Sequence, residues 1–240
     1  MKAPKLDGKT KEVEDDDSKI NKKVDEEDED EDEDEETQED KKEEGEEEGE
    51  KEGEKEGEKV EMANFDPKTI NDSNSFKFNH SSKKPIKYLS TRQLLETPLN
   101  IDGEMYPSVE HYFWSQMFDK KSKENAEVIP LFKNKTQNPR NLVKPAFIKK
   151  NGLVISEEWT LSKMKQVMYK ALKARWENKQ DKFKDILMDP KNIPKDKYIL
   201  YFERNKKSIL GGYIAKDKKH MVGRNIVGNI LEHLRSQKAQ

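Results

Sequence analysis

Residues 98–114 read PLNIDGEMYPSVEHYFW, and the fold class turns on how they divide. Asp102-Gly103 stands between two short runs that carry apolar residues, the pattern of a two-residue hairpin turn, so 98–106 predict a β-hairpin. Pro107-Ser108 follows at once. A serine just ahead of an apolar-rich run is a helix N-cap signal, so a helix is expected to begin there. A hairpin that runs straight into a helix places the chain in the α+β class, with a mixed α/β arrangement as the near neighbour. Four of the nine residues in YPSVEHYFW (106–114) are aromatic, and Glu110 and His111 stand among them.

Outward from this stretch the pattern stays mixed. EEWTLSKMKQVMYKALKARWENK (157–179) repeats Leu161, Met164, Val167, Met168, Ala171, Leu172 and Trp176 at spacings of three and four, the stripe of a helix packed on a core. A shorter helix is expected over 180–188, stopped before Pro190. KYILYF (197–202) predicts a strand, and 225–235 a closing helix with Ile226, Val227, Ile230, Leu231 and Leu234 on one face. IKYLS (86–90) suits a short strand, and 122–134 a helix interrupted near Pro130. One domain over 85–240 accommodates all of these.

The N-terminal quarter is different in kind. Residues 1–61 hold 31 Asp and Glu against 12 Lys and Arg, and GEKEGEKEGEK (49–59) repeats every four residues. Such a segment buries too little apolar surface to offset its conformational entropy, so a disordered acidic tail is expected, solvated or folded back as a mask on basic surface. Residues 62–84, rich in Asn, Ser and Lys, read as a linker. The remaining 179 residues carry 35 basic and 19 acidic side chains, so a formal net charge of −3 conceals a tail of −19 joined to a body of +16. A basic body of this kind suits phosphate-bearing partners, nucleic acid among them.

Several chemistries are excluded. There is no cysteine, so no disulfide, thiolate nucleophile or Cys-held metal. The four histidines (80, 111, 220 and 233) have no metal-pair spacing, and neither metal nor cofactor is expected. No apolar run spans a membrane and no signal peptide opens the chain, so an intracellular protein, cytoplasmic or nuclear, is expected. Phosphate-loop glycine motifs are missing.

Glu110 is the leading catalytic candidate. A carboxylate in the first helical turn complements the positive helix end, worth about 0.3–1 kcal/mol, and that alone explains a structural glutamate. Enclosure by Tyr106, Tyr112, Phe113 and Trp114 would instead desolvate the carboxyl and raise its pKa toward neutrality, where it serves as acid or base. Tyr112 is counted with the ligand-binding candidates. Trp159 falls outside the main stripe of its helix and offers either a stacking face or a hydrophobic staple. GRNIVG (223–228) sets Arg224 and Asn225 at the start of the last helix, where free N–H groups attract phosphate.

Taken in order, three segments resemble the NADAR (YbiA-like) family. DGEMYPSVEHYFWSQMF (102–118) is similar to its "DG..YPS.EHYFQ..KF", 157–176 to its "W...K..VM..AL.AKF", and GRNIVGNILEHLR (223–235) to its "G.N.LG..LM..R". The resemblance covers about residues 86–235. It implies a compact α/β fold and an N-glycosidase acting on a ribose-phosphate ligand, either an early riboflavin intermediate or ADP-ribose on guanine, free or in nucleic acid. It assigns Glu110 and Trp159 to the active site and Asn225 to the closing motif. Two departures stand out. YLSTRQLL (88–95) keeps only Leu89-Ser90 of the family's "FLSNF". Its "D..WG.G" falls on NKKSILGGY (205–213), where Ser208 or a lysine replaces the Asp, Leu210 matches the Trp, and Asp217 lies further on. A pocket that binds nucleotide without turnover is the alternative these departures suggest.

Overall fold

The computed structural model describes residues 69–205 and 207–237, so the expectation for the 1–61 tail lies outside the described residues. The elements in chain order are β1 (Ser75–Phe78), β2 (Leu99–Ile101), β3 (Glu104–Tyr106), α1 (Val109–Ser115), α2 (Pro139–Leu142), α3 (Pro145–Lys150), α4 (Leu161–Glu177), α5 (Phe183–Met188), β4 (Tyr198–Tyr201), β5 (Gly212–Ile214), β6 (Met221–Gly223) and α6 (Ile226–Ser236). Helix and strand intermix, as expected for an α+β domain.

The opening stretch folds as its chemistry dictates. Asp102 and Gly103 take positive φ, 57° and 80°, the twist that a two-residue hairpin turn needs. The turn joins β2 to β3 with Leu99 opposite Tyr106. Ser108 caps α1, its hydroxyl accepting the His111 N–H. α4 starts later than the periodicity suggests, because Thr160 is its N-cap and accepts the Lys163 N–H. Its Val167, Met168, Ala171 and Leu172 are buried, each larger side chain worth about 1.5–3 kcal/mol on removal from water. α4 packs against α1, β2 and α6, and α6 lies on β4.

Three expectations need correction. IKYLS forms a 3-10 turn over Ile86–Leu89 rather than a strand. Among the described residues no strand pairs with it, and its carbonyls go elsewhere: Tyr88 and Ser90 both accept from the buried Arg175 guanidinium. Of the stretch expected as a linker (62–84), the described part, 69–84, contains a strand: β1 pairs in parallel with β4, Ser75 opposite Tyr198, and Phe78 enters the core. Residues 122–134 hold 3-10 turns (Lys123–Asn125 and Ile129–Lys133) in place of a helix.

β4 has β1 on one side and a single bridge from Phe202 to Gly212 on the other. The main core gathers around α4, α6 and β4. A smaller cluster of Phe118, Val128, Phe132, Leu142 and Leu153 lies under the 118–153 lobe, and Trp114 packs on both. Among the described residues no helix is long and apolar enough to cross a membrane.

Candidate functional site

The α1 rings do not wrap Glu110. Phe113 is wholly buried in the main core, 4.8 Å from Trp114 and 5.2 Å from Trp159 between ring centroids, and Tyr106 stacks edge-on against Tyr112 at 5.2 Å. These aromatics build the core on which α1 rests. The Glu110 carboxylate, fully buried, turns instead toward polar partners from two other segments.

Arg140, near the start of α2, grips it with two parallel bonds: Nε donates to Oε2 and Nη2 to Oε1, each at 2.8 Å. The Thr91 hydroxyl donates to Oε1 at 2.8 Å, and the Glu110 N–H donates to the Thr91 carbonyl at 3.0 Å. Thr91 Oγ1 and the Tyr201 hydroxyl lie 3.1 Å apart. With the single Thr91 proton given to Glu110, Tyr201 is the donor of that bond. Arg140 Nη2 also donates to Glu203 Oε1 at 2.6 Å. Glu203 lies two residues past β4, and its other oxygen accepts from Ser208, whose hydroxyl in turn accepts the Gly211 N–H at 3.0 Å.

The electrostatic outcome reverses the sequence expectation. Burial alone would push the Glu110 carboxyl up. The Arg140 hydrogen bonds and charge, the Thr91 hydroxyl and the Arg92 charge outweigh burial and hold it below the usual carboxylate range. Glu110 is a permanent anion at neutral pH. Two carboxylates share one guanidinium here, so these three groups together carry one negative charge in excess, which Arg92 and Lys135 offset from the cavity wall. Burial pushes the Tyr201 phenol up to about 12, and the Glu110 charge adds to the shift, so Tyr201 stays a donor. Burial also lowers His111, which is neutral. Its Nε2 lies 3.0 Å from the Gln137 carbonyl and its Nδ1 2.7 Å from the Ser108 hydroxyl, which fixes Nε2 as the protonated nitrogen.

A cavity of about 210 Å³ lies against Glu110, the one member of this cluster in its wall. Ser108, Glu110 and His111 line it from α1, Arg92 and Leu94 from the chain after Thr91, and 135–139 from the lobe. Arg92 and Lys135 put positive charge on the same wall.

The other sequence candidates lie elsewhere. Among the described residues this wall includes neither Tyr112, Trp159, Arg224 nor Asn225. Trp159 is half-buried just before the Thr160 cap, its ring on Phe113. Arg224 is exposed. Asn225 is fully buried at φ 48°, a left-handed position that Asn tolerates. Its carboxamide accepts the Tyr201 N–H at 3.0 Å and donates to the Ile199 carbonyl at 2.9 Å, pinning α6 to β4. Asp217 pairs with His220 at 3.1 Å on exposed surface beside β6 and does not replace the missing Asp.

Sequence reasoning missed Arg140, Glu203 and Thr91. Arg140 left a faint signal, as one of six arginines among 41 lysines, in the capped helix start Asn138-Pro139-Arg140. Glu203, just past an apolar strand, left none.

Fold and site together define a small α+β domain with a buried, doubly paired carboxylate at the base of a basic-rimmed cavity. No protein-family model matches the sequence, and no curated protein does. Among solved structures the chain is similar to the NMR structure of the Escherichia coli protein YbiA, at 21% identity over 72% of this chain and 90% of that one, with a TM-score of 0.47.

Proposed function

We propose that the protein hydrolyses the N-glycosidic bond of a ribose-phosphate-bearing substrate, with Glu110 stabilising the positive charge that develops on the sugar. The observation that carries this reading is the charge of the cluster. Counted over these three groups, Glu110 and Glu203 against Arg140 leave one excess negative charge, and the Glu110 side chain is fully buried; fixed negative charge of that kind favours a cationic transition state. Breaking the bond between C1′ and the base nitrogen sends the electron pair to the base and leaves an oxocarbenium-like ribose. Water then adds its oxygen to C1′, and its proton ends on the base. An ionised glutamate suits charge stabilisation, not proton donation. Arg92 and Lys135 suit the phosphate at the rim, and a cavity of about 210 Å³ accepts the pentose-phosphate part of a ligand whose base extends beyond it. Resemblance of three ordered motifs to the NADAR family supports the same reaction and extends the substrate choice to riboflavin intermediates and ADP-ribosylated guanine, free or in DNA.

One observation favours the binding-only alternative. Arg140 claims both Glu110 oxygens, which leaves the carboxylate without an oxygen reserved for water. Mass spectrometry of the full chain incubated with early riboflavin intermediates, ADP-ribose and guanine-ADP-ribosylated DNA separates the two. Hydrolysis predicts base or sugar released by wild type and cut by about 100-fold or more in Glu110→Gln. Binding of one of these compounds with no release would establish the alternative.

A further inference from the structure

A second cavity, of about 350 Å³, lies between the 93–97 segment and the junction of α4 with α5. It shares only Leu94 with the Glu110 cavity. Its volume falls within the roughly 300–1,000 Å³ typical of small-molecule sites, which the first cavity does not reach.

Its wall is fixed. Arg175 is 1% exposed, and its guanidinium donates to the Asp181 carboxylate at 2.7 Å, to the Ser90 carbonyl at 3.0 Å and to the Tyr88 carbonyl, with its flat face 4.6 Å from the Phe183 ring centroid. Charges balance across the lining, Arg175 and Lys182 against Asp181 and Glu96, so a net charge is not what it selects.

Three carboxamides line the same cavity, each oriented by one internal hydrogen bond. Thr97 donates to Gln180 Oε1 at 3.0 Å, which leaves the Gln180 NH₂ as a donor. The Gln180 N–H donates to Asn178 Oδ1 at 3.0 Å, which leaves the Asn178 NH₂ as a donor. Gln93 donates to the Leu94 carbonyl at 2.8 Å, which leaves its carbonyl oxygen as an acceptor. Side-chain amides with defined donor and acceptor ends are the groups that read the edges of nucleobases. The Tyr88 ring and Leu94 add apolar surface for a flat ligand.

We infer that this cavity is a second ligand site, for an uncharged planar nitrogen heterocycle of the nucleobase kind, read by Asn178, Gln180 and Gln93. It is independent of the hydrolysis reading, and the two stand or fall separately.

Proton–nitrogen NMR of the full chain, titrated with cytidine, uridine, adenosine and guanosine, tests it, with ribose 5-phosphate as a probe of the other cavity. At least one nucleoside will shift the side-chain NH₂ signals of Asn178 and Gln180 saturably. Its affinity will fall about tenfold in Asn178→Asp or Gln180→Glu, each of which keeps the internally bonded oxygen and loses the donor. Glu110→Gln will leave it unchanged. Absence of any saturable shift at these NH₂ groups overturns the site. So does equal affinity in both variants, or a nucleoside response confined to residues of the Glu110 cavity.

Discussion

Two buried ion pairs flank one short segment, and they are built in opposite ways. In Arg175–Asp181 the guanidinium is the buried partner, its side chain 0% exposed against 12% for the aspartate. In Arg140–Glu110 the carboxylate is the buried one, 0% against 32%. Segment 88–91 lies between them: Arg175 holds the carbonyls of Tyr88 and Ser90, and Thr91 holds Glu110. A buried guanidinium can spread its donors over neutral backbone oxygens, so one carboxylate suffices to balance it. A buried carboxylate relies on a cation, and here that cation is shared with Glu203. One pair is a satisfied strut. The other shares its one cation between two carboxylates, Glu110 and Glu203, and that asymmetry is what the proposed hydrolysis rests on.

The largest effect is expected at the strut. Arg175→Met strands Asp181 and releases two carbonyls, and it will cost about 3–5 kcal/mol of stability in urea unfolding. A loss under 1 kcal/mol would show the guanidinium to be a passenger.

Arg140→Met comes next, at about 3 kcal/mol, less because Arg140 is partly exposed. Adding Glu110→Gln to it will restore much of the loss, since a neutral amide tolerates burial better than an unpaired anion. Additive losses would break the contrast drawn between the pairs. Acid unfolding follows the same logic with a definite sign. Glu110 lies below its ordinary 4.5 when folded, so its contribution is complete above that pH and is lost as pH falls through the folded value. His111, lowered from 6.5, acts in the same direction over the window beneath 6.5. Wild type will therefore lose stability on acidification more steeply than Glu110→Gln.

The smallest effect is expected at Asp217. It pairs only with exposed groups, so Asp217→Ala will leave the urea unfolding midpoint indistinguishable from that of wild type and will leave any turnover unchanged. A collapse of turnover would return Asp217 to the site.

The sequence was legible wherever a local rule operates. The Asp102-Gly103 turn, the Ser108 cap and the α4 stripe depend on neighbours within a few residues, and each is present. Pairing across the chain was not legible. β1 is four residues that gain their identity from β4, more than a hundred residues away. Glu110 was visible as an unusual carboxylate, but its ionisation state depends on Arg140, thirty residues on, and on Thr91. Local composition suggested enclosure by rings and a raised pKa. The tertiary partner set the opposite sign. Asn225 shows a similar limit, since its place in a glycine-flanked motif does not reveal that its carboxamide is engaged by β4.

Carboxyl-carbon NMR tests most directly whether Glu110 is held ionised at the cavity wall. The full chain, carrying carbon-13 at glutamate side-chain carboxyls, is titrated through the acid range, with Glu110→Gln identifying the resonance. A midpoint below 4.5 that moves up in Arg140→Met is the predicted result. A midpoint above 4.5, or one indifferent to Arg140, would contradict it and return Glu110 to the role of a neutral acid among rings.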